Sequence, residues 1–302
     1  VENRPRIIRS LVFVAAHDAK RIRQVAANGM DAICLDLEDL TPRPHKEDAR
    51  RLFPAIAAEL TDRGTAVFAR TNGLAGGEAA VDLEAIVCPE LHCVSIPKTN
   101  GAEDVTEFCG ILDEVEARKG LPSGYTLVRP IIETAMGVRC SFEIASASSR
   151  VAYMGGVAGG WWGDLSSSLG YIPTPTGEET RYVRSKVLVD VRAAGVPFPI
   201  GGGMTSSPEV DAARTFALEN KQLGYNGVHC QGAAAVVAAV NEVFTPTPAE
   251  IDGWLRLVPQ LEQAEREGIT AARVGDTTLD LAGLGRVRQQ LDLARRLGLV
   301  AG

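Results

Sequence analysis

Short apolar and β-branched runs alternate with longer stretches of helical periodicity along most of the chain. Leu11-Val12-Phe13-Val14, Ala32 to Leu37, Ala66 to Arg70, His92 to Ile96 and Thr126 to Ile132 read as strands. Val151 to Met154 is expected as a sixth, Val196 to Ile200 as a seventh and Gly227 to His229 as an eighth. The seventh is interrupted by prolines and the eighth is very short, which weakens both as strands. His45 to Leu60, Ala102 to Arg118, Gly177 to Ala194 and Ser206 to Leu223 place apolar residues at helical spacing, with Gly195 and Gly224 where helices stop.

Strands alternating with helices predict a parallel sheet with crossover helices. About eight such units over roughly 230 residues fit a (β/α)8 barrel, the TIM-barrel architecture, better than an open doubly wound sheet. No early strand–turn–helix carries G-x-G-x-x-G, which lowers a dinucleotide-binding reading. The chain then continues beyond one barrel helix. Phe244-Thr245-Pro246-Thr247-Pro248 breaks the pattern, Ala249 to Gly268 reads as a helix, Arg273 to Asp276 as a turn, and a last helix runs to about Leu297. The expected organisation is a barrel domain over 1–244 and an additional C-terminal helical segment over 245–302, a lid or oligomerisation element.

Composition narrows the function classes. The 302 residues are 45% hydrophobic and carry 31 Lys+Arg against 38 Asp+Glu, a net charge of −7. That balance argues against nucleic acid or an anionic membrane as partner, since either needs a basic face. It does not exclude an anionic small molecule, because a local Arg or a metal reverses the field inside a cleft. No apolar run of about 18 residues appears and no signal peptide is expected. None of the six cysteines forms C-x-x-C, so free thiols in a reducing cytoplasm are expected.

In a barrel, chemistry sits at the C-terminal ends of the strands. Those ends are polar here: Asp36, Glu38 and Asp39; Arg70-Thr71-Asn72; Pro97-Lys98; Glu133-Thr134; Asp164 after the sixth strand; His229 and Gln231 after the eighth. Glu133 and Asp164 are metal candidates, since two carboxylates plus waters and a chelating substrate suit Mg2+ or Mn2+. The structural alternatives are that Glu133 pairs with Arg129 or Arg139 and that Asp164 caps the following helix. Arg70 suits carboxylate or oxyanion recognition through its guanidinium fork, or else pairs with Asp36 or Glu38. The glycine runs 155–160 and 201–203 read first as loop geometry, Trp161 and Trp162 as packing residues, and His17, His45 and His92 as residues without a ligand role.

The ordered set Arg9-Ser10-Leu11-Val12-Phe13, Leu35-Asp36-Leu37-Glu38-Asp39, Lys46, Ala49-Arg50, Ala69-Arg70-Thr71-Asn72 and Ile96-Pro97-Lys98 resembles the citrate lyase β-subunit-like group of the HpcH/HpaI aldolase superfamily. Pro130-Ile131-Ile132-Glu133-Thr134 with Gly137, Gly163-Asp164-Leu165, Gly227 to Gln231, Phe244-Thr245-Pro246 and Thr277-Thr278-Leu279-Asp280 continue it through nearly the whole chain. The resemblance implies a barrel with a helical tail, assembled as a homotrimer or homohexamer. It implies a Mg2+-dependent carbon–carbon lyase acting through an enolate on a 3-hydroxyacyl-CoA thioester such as malyl-, citramalyl- or citryl-CoA.

By that resemblance Glu133 and Asp164 hold the metal, and Arg70 binds the thioester or enolate oxygen. Asp280 arrives from a neighbouring subunit's tail as general acid/base. Asp36, Glu38 and Asp39 shape the site floor, and Asn72, Lys98 and Gly163 join Arg70, Asp36 and Asp164 in substrate binding. The sequence also departs from the family pattern. Ala15-Ala16-His17 follows the first strand in place of Pro-Gly, His229-Cys230 replaces His-Pro, and Asp276 and Ala282 replace the Gly and Pro around the late motif. These departures leave the metal chemistry in place and open the question of the CoA moiety. A class II aldolase releasing pyruvate or another 2-oxo acid is the alternative within the superfamily, and a non-catalytic barrel subunit the alternative outside it. Lys20, Arg21 and Arg23 favour CoA if they face the site, and a free acid if they face outward.

Overall fold

A computed structural model describes residues 4–155, 163–174, 176–203, 209–268, 270–274 and 277–300. Two compact units divide the chain, Val1–Phe244 and Thr245–Gly302.

The first unit is built on a parallel sheet: β1 (Ser10–Ala15), β2 (Ala32–Asp36), β3 (Ala66–Arg70), β4 (Leu91–Ile96), β5 (Leu127–Pro130), β6 (Ile200–Gly201) and β7 (Gly227–His229). The strand order is β5-β4-β3-β2-β1-β7-β6. Between and after the strands run α1 (Ala19–Ala26), α2 (Lys46–Asp62), α3 (Glu78–Ile86), α4 (Ala102–Lys119), α5 (Ala135–Arg139) and α6 (Ser141–Ser146). They continue as α7 (Asp164–Leu169), α8 (Arg181–Ala193), α9 (Val210–Leu223) and α10 (Ala234–Phe244).

The expected eight-stranded barrel is observed as a curled sheet of seven strands, and the difference falls on the sixth and seventh expected strands. Residues 151–155 make isolated parallel bridges, Val128↔Val151 and Ile131↔Gly155 toward β5 and Gly155↔Ile200 toward β6, without forming a strand. The seventh shrinks to two residues because Pro197 and Pro199 have no N–H to give a ladder. Gly155 is required where it stands. Its φ is 147°, and a Cβ there would lie 2.0 Å from the Ile200 carbonyl oxygen. The other expected strands are found within about two residues of their read limits, the usual scatter at element ends.

Strands covered by helices on one face and by each other on the other read as continuous apolar runs. β2 and β4 are buried at every residue. Alternation splits the core in two. Val12, Val14, Ile33, Leu35, Val67 and Val94 pack outward against the helices, with Phe53, Ile56, Leu83, Phe108 and Val187. Leu11, Ala32, Cys34, Ala66, Phe68, Cys93, Leu127 and Tyr153 pack together inside the curl. The same alternation carries Asp36, Arg70 and Arg129 to that inner face, at the strand ends where apolar packing gives way to polar groups.

The second unit holds α11 (Pro248–Arg266), β8 (Ala271–Val274), β9 (Thr277–Asp280) and α12 (Ala282–Arg296). The Thr247 hydroxyl accepts the Glu250 N–H at 3.2 Å and Glu250 accepts the Thr247 N–H at 2.7 Å, a reciprocal cap that starts α11. Where a turn was expected at 273–276, β8 and β9 pair antiparallel from Ala271↔Asp280 to Val274↔Thr277, and residues 275 and 276 lie outside the described residues. Trp161, Trp162 and most of the 155–160 glycine run also lie outside them. Among the described residues no helix is long and apolar enough to cross a membrane. All six cysteines are free, and five are buried.

Candidate active site

Parallel registration lines up one inner residue from each neighbouring strand. Ala15 pairs with Asp36, Asp36 with Arg70, Arg70 with Ser95, and Ser95 with Arg129. Arg70 therefore lies beside Asp36, and its Nε donates to Asp36 Oδ1 at 3.0 Å while Nη2 bonds Oδ2. Nη1 reaches Glu38 Oε2 at 2.9 Å. The ion pair expected as the structural alternative for Arg70 thus exists, and it aims the guanidinium at the cavity described below. Burial opposes the Arg70 charge, but the bond to Asp36 and the fields of Asp36, Glu38 and Glu133 push its pKa upward, so it stays cationic.

Asp36 is fully buried and also accepts the N–H groups of Glu38 at 2.8 Å and Leu40 at 3.2 Å. It folds the strand end into a fixed turn and holds Arg70. Burial raises the Glu38 pKa, offset by Arg70 and by the Lys98 hydrogen bond.

Lys98 ties the acidic groups together. Its φ is +49°, the only positive value for a non-glycine among the described residues. Such backbone strain persists where surrounding contacts hold it, often at functional sites. Here the Lys98 N–H donates to Glu133 Oε1 at 2.8 Å and its ammonium to Glu38 Oε1 at 2.7 Å. The ammonium also lies 3.6 Å from both Asp39 and Asp164. Neither Arg129 nor Arg139 forms an ion pair with Glu133 among the described residues, so that structural alternative is not what occupies Glu133. Burial raises the Glu133 pKa, the Lys98 N–H and Arg70 lower it, and Glu38 and Asp164 add repulsion. Asp164 opens α7 after Gly163, whose N–H is taken by the Ser166 hydroxyl at 2.8 Å; the cap on that helix is not Asp164.

A cavity of about 560 Å³ opens above this layer. Arg70, Glu133, Asp164, Asp39 and Gly163 line it, as the sequence reading requires of a single site. Asp36, Glu38, Lys98 and Asn72 do not line it. Asn72, expected to bind substrate, is buried: its amide donates to Leu37 O at 3.2 Å and to Asp82 Oδ2 at 2.7 Å, while its oxygen takes Lys46. It pins the β3 end to α2 and α3. Of the three rim cations, Arg21 lines the cavity, whereas Arg23 is bound to Glu59 at 2.8 Å on the α1–α2 surface. Asp280 ends β9 in the second unit, exposed, its Oδ1 accepting the Ala282 N–H at 3.0 Å.

Three further lining residues, His229, Arg129 and Gly203, carry no assigned role in the sequence reading. His229 packs tilted against Phe13, ring centroids 4.7 Å apart, and is neutral, its pKa pushed down to about 3 by burial and by Arg129 and Arg70. Arg129 lies within 6.0 Å of the same Phe13 ring, with Arg70 at 5.3 Å. The alternation Leu127, Arg129, Ile131 was the available signal, since it places an arginine on the inner face of β5. Gly203 also belongs here: a Cβ on it would come within 2.5 Å of the His229 carbonyl oxygen.

This chemistry corresponds to a known class. Residues 9–233 match the HpcH/HpaI aldolase/citrate lyase family model, and the chain belongs to that family of carbon–carbon lyases. It is 27% identical over 302 residues to citrate lyase subunit beta of Leuconostoc mesenteroides subsp. cremoris, covering 99% of this chain and 97% of that one. It is 30% identical over 256 residues to a citrate lyase subunit beta-like protein of Deinococcus radiodurans, covering 82% and 83%. The crystal structure of CitE from Mycobacterium tuberculosis in complex with magnesium, acetoacetate and coenzyme A superposes with a TM-score of 0.70 at 21% identity, covering 98% of this chain and 99% of that one.

Proposed function

We propose that the protein is a Mg2+-dependent carbon–carbon lyase that cleaves, or in reverse condenses, a 3-hydroxyacyl-CoA thioester of the malyl, citramalyl or citryl type. The observation that carries the reading is one cavity lined by Glu133, Asp164 and Arg70 in a member of this family. We further propose that residues 151–155 serve as the eighth stave of a (β/α)8 barrel, bridging β5 to β6.

The donor set fits a hard divalent cation. Among the described residues no group of three or more His, Cys, Asp or Glu gathers as a cage. Mg2+ is commonly held by one or two carboxylates, with waters and substrate oxygens completing the shell. Glu133, whose pKa burial raises and whose charge Glu38 and Asp164 oppose, gains from such a partner. Glu133 and Asp164 would hold the cation, which would supply Lewis-acid polarisation of the substrate hydroxyl that becomes the new carbonyl.

The residues of the chain supply the rest. The substrate hydroxyl gives its proton to a carboxylate base, which becomes the carboxylic acid of the last step; the C–C bond breaks as the 2-oxo acid forms, and its electron pair passes to the α-carbon and thioester oxygen. Arg70, held by Asp36 and Glu38, offers N–H groups and a permanent charge to that oxygen. A carboxylic acid then protonates the α-carbon. That role falls to Asp280 of a neighbouring subunit in a homotrimer or homohexamer, with the second unit as lid. The rim cations divide: Arg21 lines the cavity, as a CoA substrate asks, whereas Arg23 faces Glu59, which leaves a second reading, a class II aldolase acting on a free hydroxy-oxo acid without CoA.

Calorimetry with Mg2+ on wild type and Glu133→Gln, followed by a turnover assay on both, tests the reading. Saturable binding and metal-dependent turnover are expected in the wild type and neither in the variant. A wild type that binds no Mg2+, or a variant of unchanged rate, ends it.

A further inference from the structure

Arg129 is 1% exposed, yet its Nε and Nη1 have no hydrogen-bond partner. It makes no ion pair within 4.0 Å among the described residues, and it lines the same cavity as Glu133 and Arg70. A guanidinium has five donors, no acceptor and a permanent charge, and burying one without an anion is among the most costly arrangements in a protein interior. Glu133, the carboxylate that acts on it through its field, makes no ion pair with it, and the groups around it offer no closer counter-ion. Phe13 presents only a ring face, and His229 is neutral. The nearby Cys34 thiol is pushed up to about 12 by burial, so no thiolate forms there at ordinary pH. Asp36, one layer partner of Arg70, is already committed to Arg70 and to two backbone N–H groups.

We propose that Arg129 is an anion subsite, in which its free N–H groups take a carboxylate of the substrate deep in the cavity. Arg129 lies in the Arg70–Ser95–Arg129 register row, on the strand that leads into Glu133. A ligand reaching from Glu133 to Arg129 then carries two anionic ends, one chelated with the metal and one on Arg129. The substrate class is accordingly an acyl compound with a carboxylate in addition to the one beside the reacting hydroxyl. This assignment of ends rests on the lyase reading above, whereas the anion binding itself does not.

The test uses the full chain and succinate as probe, titrated by calorimetry without metal and again with Mg2+, on wild type, Arg129→Met and Arg129→Lys. A charged hydrogen bond of this kind corresponds to roughly 10- to 100-fold in affinity. The expected result is saturable succinate binding to wild type, weakened by about that factor in Arg129→Met, partly restored in Arg129→Lys, with Mg2+ affinity unchanged. Arg129→Met is also expected to melt at or above the wild-type temperature, because it removes an uncompensated buried charge. Equal succinate binding in wild type and Arg129→Met, no saturable succinate binding in wild type, or a large fall in melting temperature in Arg129→Met overturns the subsite. Loss of Mg2+ binding by the wild type, with succinate still depending on Arg129, would instead remove the lyase reading and leave the subsite standing.

Discussion

Arg150 and Arg129 are both almost wholly buried in the first unit, and their surroundings differ in kind. Arg150, just before the bridging segment 151–155, donates to both oxygens of Glu116 at 2.9 and 2.6 Å, to Asp113 at 2.6 Å and to the Thr126 carbonyl at 2.9 Å. Glu116 in turn accepts the N–H groups of Gly124 and Thr126. Every charge there is answered locally, and the network ties α4 to the start of β5. At the other end of β5, Arg129 faces a cavity with its Nε and Nη1 unanswered. The saturated arginine is a structural element. The unsatisfied one marks where a ligand completes the protein.

The largest expected effects lie at the cavity end. Glu133→Gln should lower turnover by at least ~10^3-fold, because the carboxylate proposed to hold the metal and its charge are lost together. Asp280→Asn should lower turnover by a similar factor with Mg2+ affinity nearly kept. Mixing the two variants in one oligomer should restore part of the rate, if Asp280 serves a neighbour's site. Absence of any rescue, with the mixed oligomer verified by mass, would confine Asp280 to its own chain or remove it from the chemistry.

At the saturated end the expected loss is in stability. Glu116→Ala removes the buried partner of Arg150, leaving it the half-exposed Asp113 and the Thr126 carbonyl, and should cost about 3 kcal/mol in chemical denaturation, with little change in KM. A loss below ~1 kcal/mol would erase the contrast with Arg129.

A smaller effect separates the inner floor from the mouth. His92 is buried, its Nε2 2.8 Å from the Tyr153 hydroxyl, which donates to Arg6 O and accepts Arg6 N–H. Burial, aided by Arg6, pushes its pKa down to about 3. A histidine whose folded pKa lies below its unfolded value of ~6.5 stabilises fully above that value and loses the contribution as pH falls toward the folded one. Stability should thus fall on acidification below pH ~6.5 and on toward the folded value, with His229, depressed likewise, adding to the fall. His92→Gln should flatten that part of the profile. The smallest effect is expected at Arg23→Ala on the exposed Glu59 pair, under ~0.5 kcal/mol and without change in KM. A rise in KM for a CoA substrate would return Arg23 to the rim.

Much of this contrast is legible in the sequence, for reasons that differ by residue. Alternation located β1 to β5 and β7, because strands buried on both faces are nearly pure apolar runs bounded by polar ends. The strand ends it located put Arg70, Glu133, Asp164 and Asp39 at one mouth, and the family resemblance added Gly163. The position of Asn72 at a strand end does not reveal that Asp82 and Lys46 occupy its amide away from the cavity. A turn is legible at 273–276, but the strands β8 and β9 beside it are not, since four-residue strands give too few periods to distinguish. Residues 151–155 bridge without a ladder because Gly155 and the prolines before Ile200 leave few regular donors. Arg129 was weighed only as a partner for Glu133; whether a buried charge is answered depends on contacts distant in sequence.

The central claim is best tested by offering the full chain malyl-, citramalyl- and citryl-CoA alongside free 4-hydroxy-2-oxo acids, with Mg2+ or with EDTA, and measuring the released 2-oxo acid. The account predicts metal-dependent release from at least one CoA thioester, abolished by EDTA and by Glu133→Gln. Release from free acids alone would replace the thioester with the aldolase reading. Release that persists in EDTA, or none from any substrate, would contradict the account.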